Sequence, residues 1–137
     1  MADTVRKVAY FAMEVPDKPG EAARVLGALA EAGVNLLAFS GFPRSRKSQL
    51  DIIPENVKTF KAAARKAKIT TRAQKLGFLI QGEDRTGAVA EVLGKLADKK
   101  INVVAVQAVS ASNGQYAAIL WVKPPDMNKA AKALGAS

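Results

Sequence analysis

Two rhythms of hydrophobic and polar positions run through the chain, and their succession is written twice. Val8 to Val15 (VAYFAMEV) is apolar and rich in β-formers, and Leu76 to Gly82 (LGFLIQG) has the same character, so both are predicted strands. A turn over Pro16-Asp17-Lys18-Pro19-Gly20 leads into Ala22, Val25, Leu26, Leu29 and Ala30. Steps of three and four residues put these on one helical face, and Gly33 stops the helix. The later copy repeats the face with Val89, Val92, Leu93, Leu96 and Ala97. Strand-like runs follow at Val34–Phe42 and Ile101–Ala111. Turns at Arg44-Ser45-Arg46-Lys47 and Ser112-Asn113-Gly114 then lead into strands at Ser48–Ile53 and Gln115–Val122. Asn-Gly is the stronger hairpin signal, because both residues tolerate positive φ. A second helix is expected at Asn56–Lys68 and again at Asp126–Leu134, the first burying Phe60, Ala63, Ala64 and Ala67.

The duplication shows in the residues themselves. Asp17-Lys18-Pro19-Gly20 returns as Asp84-Arg85-Thr86-Gly87, an offset of 67. At that offset Phe11 falls on Phe78, Val25-Leu26-Gly27 on Val92-Leu93-Gly94, Asn35 on Asn102, Ile52 on Ile119 and Ala63-Ala64 on Ala130-Ala131. An ungapped repeat of this length decides the fold before any single element does. Each copy reads βαββαβ, the ferredoxin-like arrangement of an α+β domain with helices on one face of an antiparallel sheet. The division expected is 1–73 and 74–137. Ile69–Ala73 supplies the last strand of the first copy, whereas only Gly135-Ala136-Ser137 follow Leu134, so the second copy lacks its last strand. Because an open edge invites pairing, that edge is expected to be covered by the Ile69–Ala73 segment or by another chain.

Composition narrows the chemistry. The 137 residues contain no histidine and no cysteine, which removes Ser-His-Asp and Cys-His nucleophiles, His/Cys metal sites and disulfides. No catalytic cluster of carboxylates, Lys or Tyr stands out, and no metal or cofactor is expected. Two acids in Gly82-Glu83-Asp84-Arg85 before a helix read as a solvated loop in preference to a hard-cation site. The N-terminus has no apolar core of signal-peptide length, and no uncharged apolar run is long enough to span a membrane. A soluble, cytoplasmic, non-catalytic protein is the expectation. The net charge is +9, divided as +4 up to Ala67 and +5 beyond, with a dense basic stretch from Lys58 to Lys75 that contains no acid.

The repeated Asp-x-x-Gly carries the candidate chemistry. A first helical turn offers free backbone N–H groups and a partial positive charge, a seat for a carboxylate. Gly20 and Gly87 admit a ligand close to the backbone, and Asp17 and Asp84 can accept bonds from an ammonium group. Asn35 and Asn102, at the start of the following strands, donate and accept. Such a set suits a free amino acid, and it equally suits a turn with its helix cap. Ser40 and Gln107 are equivalent strand positions that could line a site or face solvent. Tyr10, Phe11, Phe39, Phe42 and Trp121 read as core or interface aromatics.

Val15-Pro16-Asp17-Lys18-Pro19-Gly20, the helix Glu21–Glu31 and Gly33-Val34-Asn35-Leu36 resemble an ACT domain, most of all those of aspartate kinases. Asp84-Arg85-Thr86-Gly87 through Asn102-Val103 is similar to a second ACT domain. The resemblance implies a regulatory protein that binds an amino acid or related metabolite between paired ACT domains, forms a homo-oligomer through a sheet edge or helices, and acts on a protein partner. It carries binding positions over to Asp17, Pro19, Gly20 and Asn35, and to Asp84, Gly87 and Asn102. Thr86 departs from the usual Pro. Two alternatives remain: a nucleic-acid-binding protein using its basic surface, and an assembly module of degenerate ACT units. Against the first, neither Ser48–Ile53 nor Gln115–Val122 carries the aromatic pattern of RNA-binding sheets.

Overall fold

A computed structural model describes residues 3–137. In chain order the elements are β1 (Thr4–Pro16), α1 (Glu21–Glu31), β2 (Leu36–Arg44), β3 (Lys47–Pro54), α2 (Val57–Lys66), β4 (Lys75–Glu83), α3 (Ala88–Asp98), β5 (Val103–Ala111), β6 (Gln115–Val122), a 3-10 turn (Pro124–Asp126) and α4 (Met127–Leu134). The chain forms two compact units, Ala9–Lys75 and a composite of the residues up to Val8 with Leu76–Ser137. Of the described residues, 3–8 therefore group with the second repeat.

In the 9–75 unit, β3 lies between β2 and β1. Alternate residues of the strands (Phe11, Met13 and Val15; Leu50 and Ile52) meet Val25 and Leu29 of α1 and Phe60, Ala63 and Ala64 of α2 in one core. Phe11 and Phe60 stack with centroids 4.6 Å apart. Asn56 caps α2 by accepting from the Thr59 N–H at 3.0 Å, and Ala67, expected in the core, is an exposed C-cap. The helix ends there, so Ala67 has no turn left to carry it under the sheet. Ile69–Ala73 runs extended beside β1, with the Arg72 N–H donating to the Ala12 carbonyl at 2.8 Å, without becoming a regular strand.

The composite unit repeats this plan with one change of register. Phe11 pairs with Ile52 in the first repeat, but Phe78 pairs with Leu120, not with Ile119. The β5–β6 hairpin leaves three residues, Ser112-Asn113-Gly114, between the paired Ala111 and Gln115, where β2–β3 leaves only Ser45-Arg46. The extra residue shifts β6 by one, and a one-residue slip exchanges the faces of a strand. Tyr116, Ala118, Leu120 and Val122 thus enter the helix-side core, while Ile119 is buried outside that cluster. Asn113 and Gly114 both sit at φ 67°, the left-handed conformation that the turn requires.

The open edge expected of the second repeat is closed by the chain's own beginning, and neither Ile69–Ala73 nor another chain is needed. Strand β4 lies between β1 and β6, and Val5 enters the core of the composite unit with Phe78, Ile80 and Leu134. The C-terminal residue is tied to the same segment: the Ser137 N–H donates to the Val5 carbonyl at 3.0 Å, and the Lys7 N–H donates to the Ser137 carbonyl at 3.3 Å. Just before the strand, the Asp3 carboxylate accepts from the Tyr116 hydroxyl at 2.8 Å and from Arg85 Nη1 at 3.1 Å. Its side chain is only 6% exposed. Burial alone would raise the Asp3 pKa, but the bonds from Arg85 and Tyr116, with the nearby Arg85 and Lys95 charges, hold it below its ordinary value. For Tyr116, burial and then the bond to Asp3 push the pKa up to about 12. Gly82 leaves the room: a Cβ there would run into the Asp3 carboxylate.

Two predictions follow from this docking. Gly82→Ala should destabilise the protein by about 1–3 kcal/mol by forcing Asp3 off its partners. Combined with Asp3→Ala it should cost far less than the sum, as a double-mutant cycle in chemical denaturation would show. Additive losses would mean that Gly82 does not act through Asp3. For pH, the depressed Asp3 pKa gives stability that is present above the ordinary value of 3.8 and lost as pH falls through the folded value. The raised Tyr116 pKa gives stability that is present below 10 and lost as pH climbs towards about 12. Asp3→Asn should therefore flatten the acid limb of melting temperature against pH, and Tyr116→Phe the alkaline limb. Limbs as steep as those of the wild type would overturn the assignment.

Candidate functional site

In each repeat the end of the first strand turns into a helix through a glycine. Gly20 precedes α1 at φ 87° and Gly87 precedes α3 at φ 82°, and neither helix has a side-chain cap. A left-handed glycine at this point aims the first N–H groups of the helix outward and leaves open space where a Cβ would stand. The two loops differ in what else they hold. In the first, the Ser48 hydroxyl donates to Asp17 Oδ1 at 2.9 Å, while Pro19 and Gly20 are exposed. In the second, the Asp84 N–H donates to the Gly114 carbonyl at 2.8 Å, which fastens the loop to the β5–β6 turn. No side chain among the described residues bonds to the Asp84 carboxylate.

Arg85 is turned away from Asp84. Its Nη1 donates to Asp3 and to the Glu83 carbonyl at 3.0 Å, and its Nη2 donates to Glu91 Oε2 at 2.8 Å. The bond to Glu91, then the one to Asp3, raise the arginine pKa, and the same Arg85 bond lowers that of Glu91. The space beside the loop is a shallow pocket of about 270 Å³. Asp84, Arg85, Gly87 and the first turn of α3 line it, together with Ala108 to Ser110 at the end of β5 and Tyr116. It offers backbone donors, one free carboxylate and a small apolar wall, a combination that can seat a carboxylate at the helix start and an ammonium at Asp84.

The asparagines lie elsewhere. Pro16 pairs with Lys47 at one end of β3, whereas Leu36 pairs with Pro54 at the other. At 3.2–3.4 Å per residue the seven steps between them separate Asn35 from Asp17 by roughly 20 Å within the unit. Asn35 is engaged there with Glu55: its Nδ2 donates to Oε2 at 3.3 Å, and the Glu55 N–H donates to the Asn35 carbonyl at 2.9 Å. Glu83 opposite Gln115 and Val103 opposite Val122 set Asp84 and Asn102 apart in the same way. Each repeat thus brings Asp and Gly together and leaves Asn at the far end of the sheet. Ser40 and Gln107 sit in mid-strand opposite Asp51 and Ile119, outside the pocket lining.

Sequence reading missed Tyr116, Ser110 and the small wall of β5. The signal was the Asn113-Gly114 hairpin: once β6 pairs with β4, Tyr116 lands opposite Gly82, two residues before Asp84. Among the described residues no group of three or more Asp or Glu is placed to hold a metal ion, and no helix is long and apolar enough to cross a membrane.

Comparison with known proteins gives a family match over part of the chain. Residues 10–69 match the ACT domain family. No curated protein sequence matches the chain. Among solved structures, a protein from Bacteroides thetaiotaomicron superposes with a TM-score of 0.79 at 20% identity, covering 97% of this chain and 88% of that one. The ligand-free regulatory subunit of aspartate kinase from Thermus thermophilus superposes with a TM-score of 0.67 at 17% identity, covering 98% and 95%. The regulatory subunit of aspartate kinase from Thermus flavus gives 0.63 at 17% identity, again over 98% and 95%. At these identities the likeness is one of fold, and it spans both repeats. The match to the ACT domain family is thus carried by residues 10–69, and the chain is built as two ferredoxin-like repeats.

Proposed function

We propose that the protein is a non-catalytic regulatory sensor that binds a free amino acid or a closely related metabolite at the start of α3. The observation that carries this reading is the pocket shared by Asp84, Gly87 and the uncapped first turn of that helix. The fold it shares with regulatory subunits of aspartate kinase supports it. In this reading the second repeat holds the more receptive site, since Asp84 is free while Asp17 already accepts a bond from Ser48. Pro19 and Gly20 form the corresponding, weaker position in the first repeat. Asn35 and Asn102 do not reach a ligand at the loop of their own repeat.

Pairing of copies has its own support. Along β5 every residue after Val103 is exposed, the strand carries no charge, and Val104 and Val109 are 58% and 65% exposed. An apolar, uncharged edge strand of nine residues is a template for another strand. Ligand binding would then bias the pairing, and a regulated protein would read the pairing that results.

A thermal-shift screen against the twenty L-amino acids at millimolar concentration tests the sensor. A ligand at 100 times its dissociation constant stabilises the native state by about 2.7 kcal/mol. One hit is expected, lost in Asp84→Ala and kept in Asp17→Ala. Silence across the panel, or a hit that Asp84→Ala leaves intact, would sink the reading. By light scattering after gel filtration the wild type should be a dimer and Val109→Lys a monomer; a monomeric wild type would remove β5 as a pairing edge.

A further inference from the structure

No acid occurs between Glu55 and Glu83, yet this stretch carries Lys58, Lys61, Arg65, Lys66, Lys68, Arg72 and Lys75. On α2, Lys61 and Arg65 stand four residues apart on one face, where like charges repel. Lys58, Lys61, Arg65 and Lys68 have no ionic partner among the described residues. A solvated helix face would explain exposed cations alone, but here two of them border a recess. Lys61 and Arg65 line a shallow pocket of about 340 Å³, with Ala64 of the same helix and with Ile69, Thr71 and Arg72 of the extended segment that follows.

The walls of this recess are fixed by the fold. The Ile69 N–H donates to the Ala64 carbonyl at 2.8 Å, so the chain leaves α2 in one defined direction. Arg72 is held by its backbone bond to Ala12 and by an ion pair with Glu14 at 3.3 Å. That pair neutralises Arg72, which leaves the uncompensated charge on Lys61 and Arg65. Ala64 and Ile69 add an apolar surface, and the Thr71 hydroxyl and Gln74 amide add neutral hydrogen-bonding groups.

We propose that this recess is a second binding site, separate from the α3 loop, for a small organic phosphate. A phosphomonoester carries close to two negative charges at neutral pH, matching the two unpaired cations, and a guanidinium beside an ammonium suits its oxygens. The organic portion rests against Ala64 and Ile69. The site does not depend on the amino-acid reading of the α3 loop.

The test is a nitrogen–proton NMR titration of the full chain with phenyl phosphate, inorganic phosphate and a thymidine oligonucleotide. Phenyl phosphate should shift the Ala64, Ile69 and Thr71 amides saturably and bind more tightly than inorganic phosphate. Lys61→Gln and Arg65→Gln should each weaken it about tenfold, the loss of one charge-assisted bond. Both positions are exposed, so the variants should fold, and unchanged amide spectra away from the site would establish it. Asp84→Ala should leave the affinity unchanged. Equal affinity for inorganic phosphate would overturn the organic ligand. Binding confined to the oligonucleotide, with affinity falling steeply in salt, would overturn the small-molecule site in favour of a polyanion surface. Absence of a saturable shift would overturn the site altogether.

Discussion

The free edge of an antiparallel sheet is the constraint around which this chain is arranged. Strand β4 has β6 on one side, and a bare second side would expose a row of unpaired N–H and C=O groups. The first part of β1 occupies that side. What holds it is local and polar as well as apolar. Val5 enters the core, Ser137 bonds to Val5 and Lys7, and Asp3 collects Tyr116 and Arg85. The two Asp3 contacts join residues 82 and 113 positions apart, tying the start of β1 to the loop before α3 and to β6.

That arrangement explains which parts of the fold were legible. Local elements were: hydrophobic period, turn residues and duplication place every helix and strand within a few residues. The extent of β1 was not. Its apolar run begins at Val8, while the strand begins at Thr4, because Arg6 and Lys7 interrupt the apolar run that marks the rest of the strand. The structural role of Thr4–Val8 depends on β4, seventy residues later, and no local pattern announces that. The β6 register was hidden for a different reason. An ungapped match through the hairpin looks convincing residue by residue, yet one added turn residue reverses which side chains are inside. Ile119 matches Ile52 in type but not in place. The offset of 67 holds again at Ala130, beyond the 3-10 turn, where Ala63 has its counterpart in the core.

The site divides along the same line. Asp and Gly of each loop are close in sequence, and the backbone conformation that a positive-φ glycine permits keeps them together in space. The asparagines are separated from them by a helix, and an 11-residue helix returns the chain to the opposite end of the sheet. A list of residues with suitable chemistry therefore contained two kinds of position that one unit cannot gather. Tyr116 and the β5 wall were absent from that list because their place depends on strand pairing, which only the folded sheet supplies.

Arg85 lies between the docked start of β1 and the loop before α3. In the first repeat the equivalent residue is Lys18, and the neighbouring aspartate is satisfied by Ser48. In the second repeat the guanidinium has three partners, Asp3, the Glu83 carbonyl and Glu91, and none of them is Asp84. An arginine left without Asp3 would have a carboxylate one residue away to turn to, and charge attraction at that range is strong. Arg85 lines the pocket beside Asp84 but donates to Asp3, the Glu83 carbonyl and Glu91, and the Asp84 carboxylate accepts no side-chain bond among the described residues. In the first repeat the Asp17 carboxylate instead accepts from the Ser48 hydroxyl of β3. The two copies of one scaffold thus differ in what surrounds the same Asp-x-x-Gly loop.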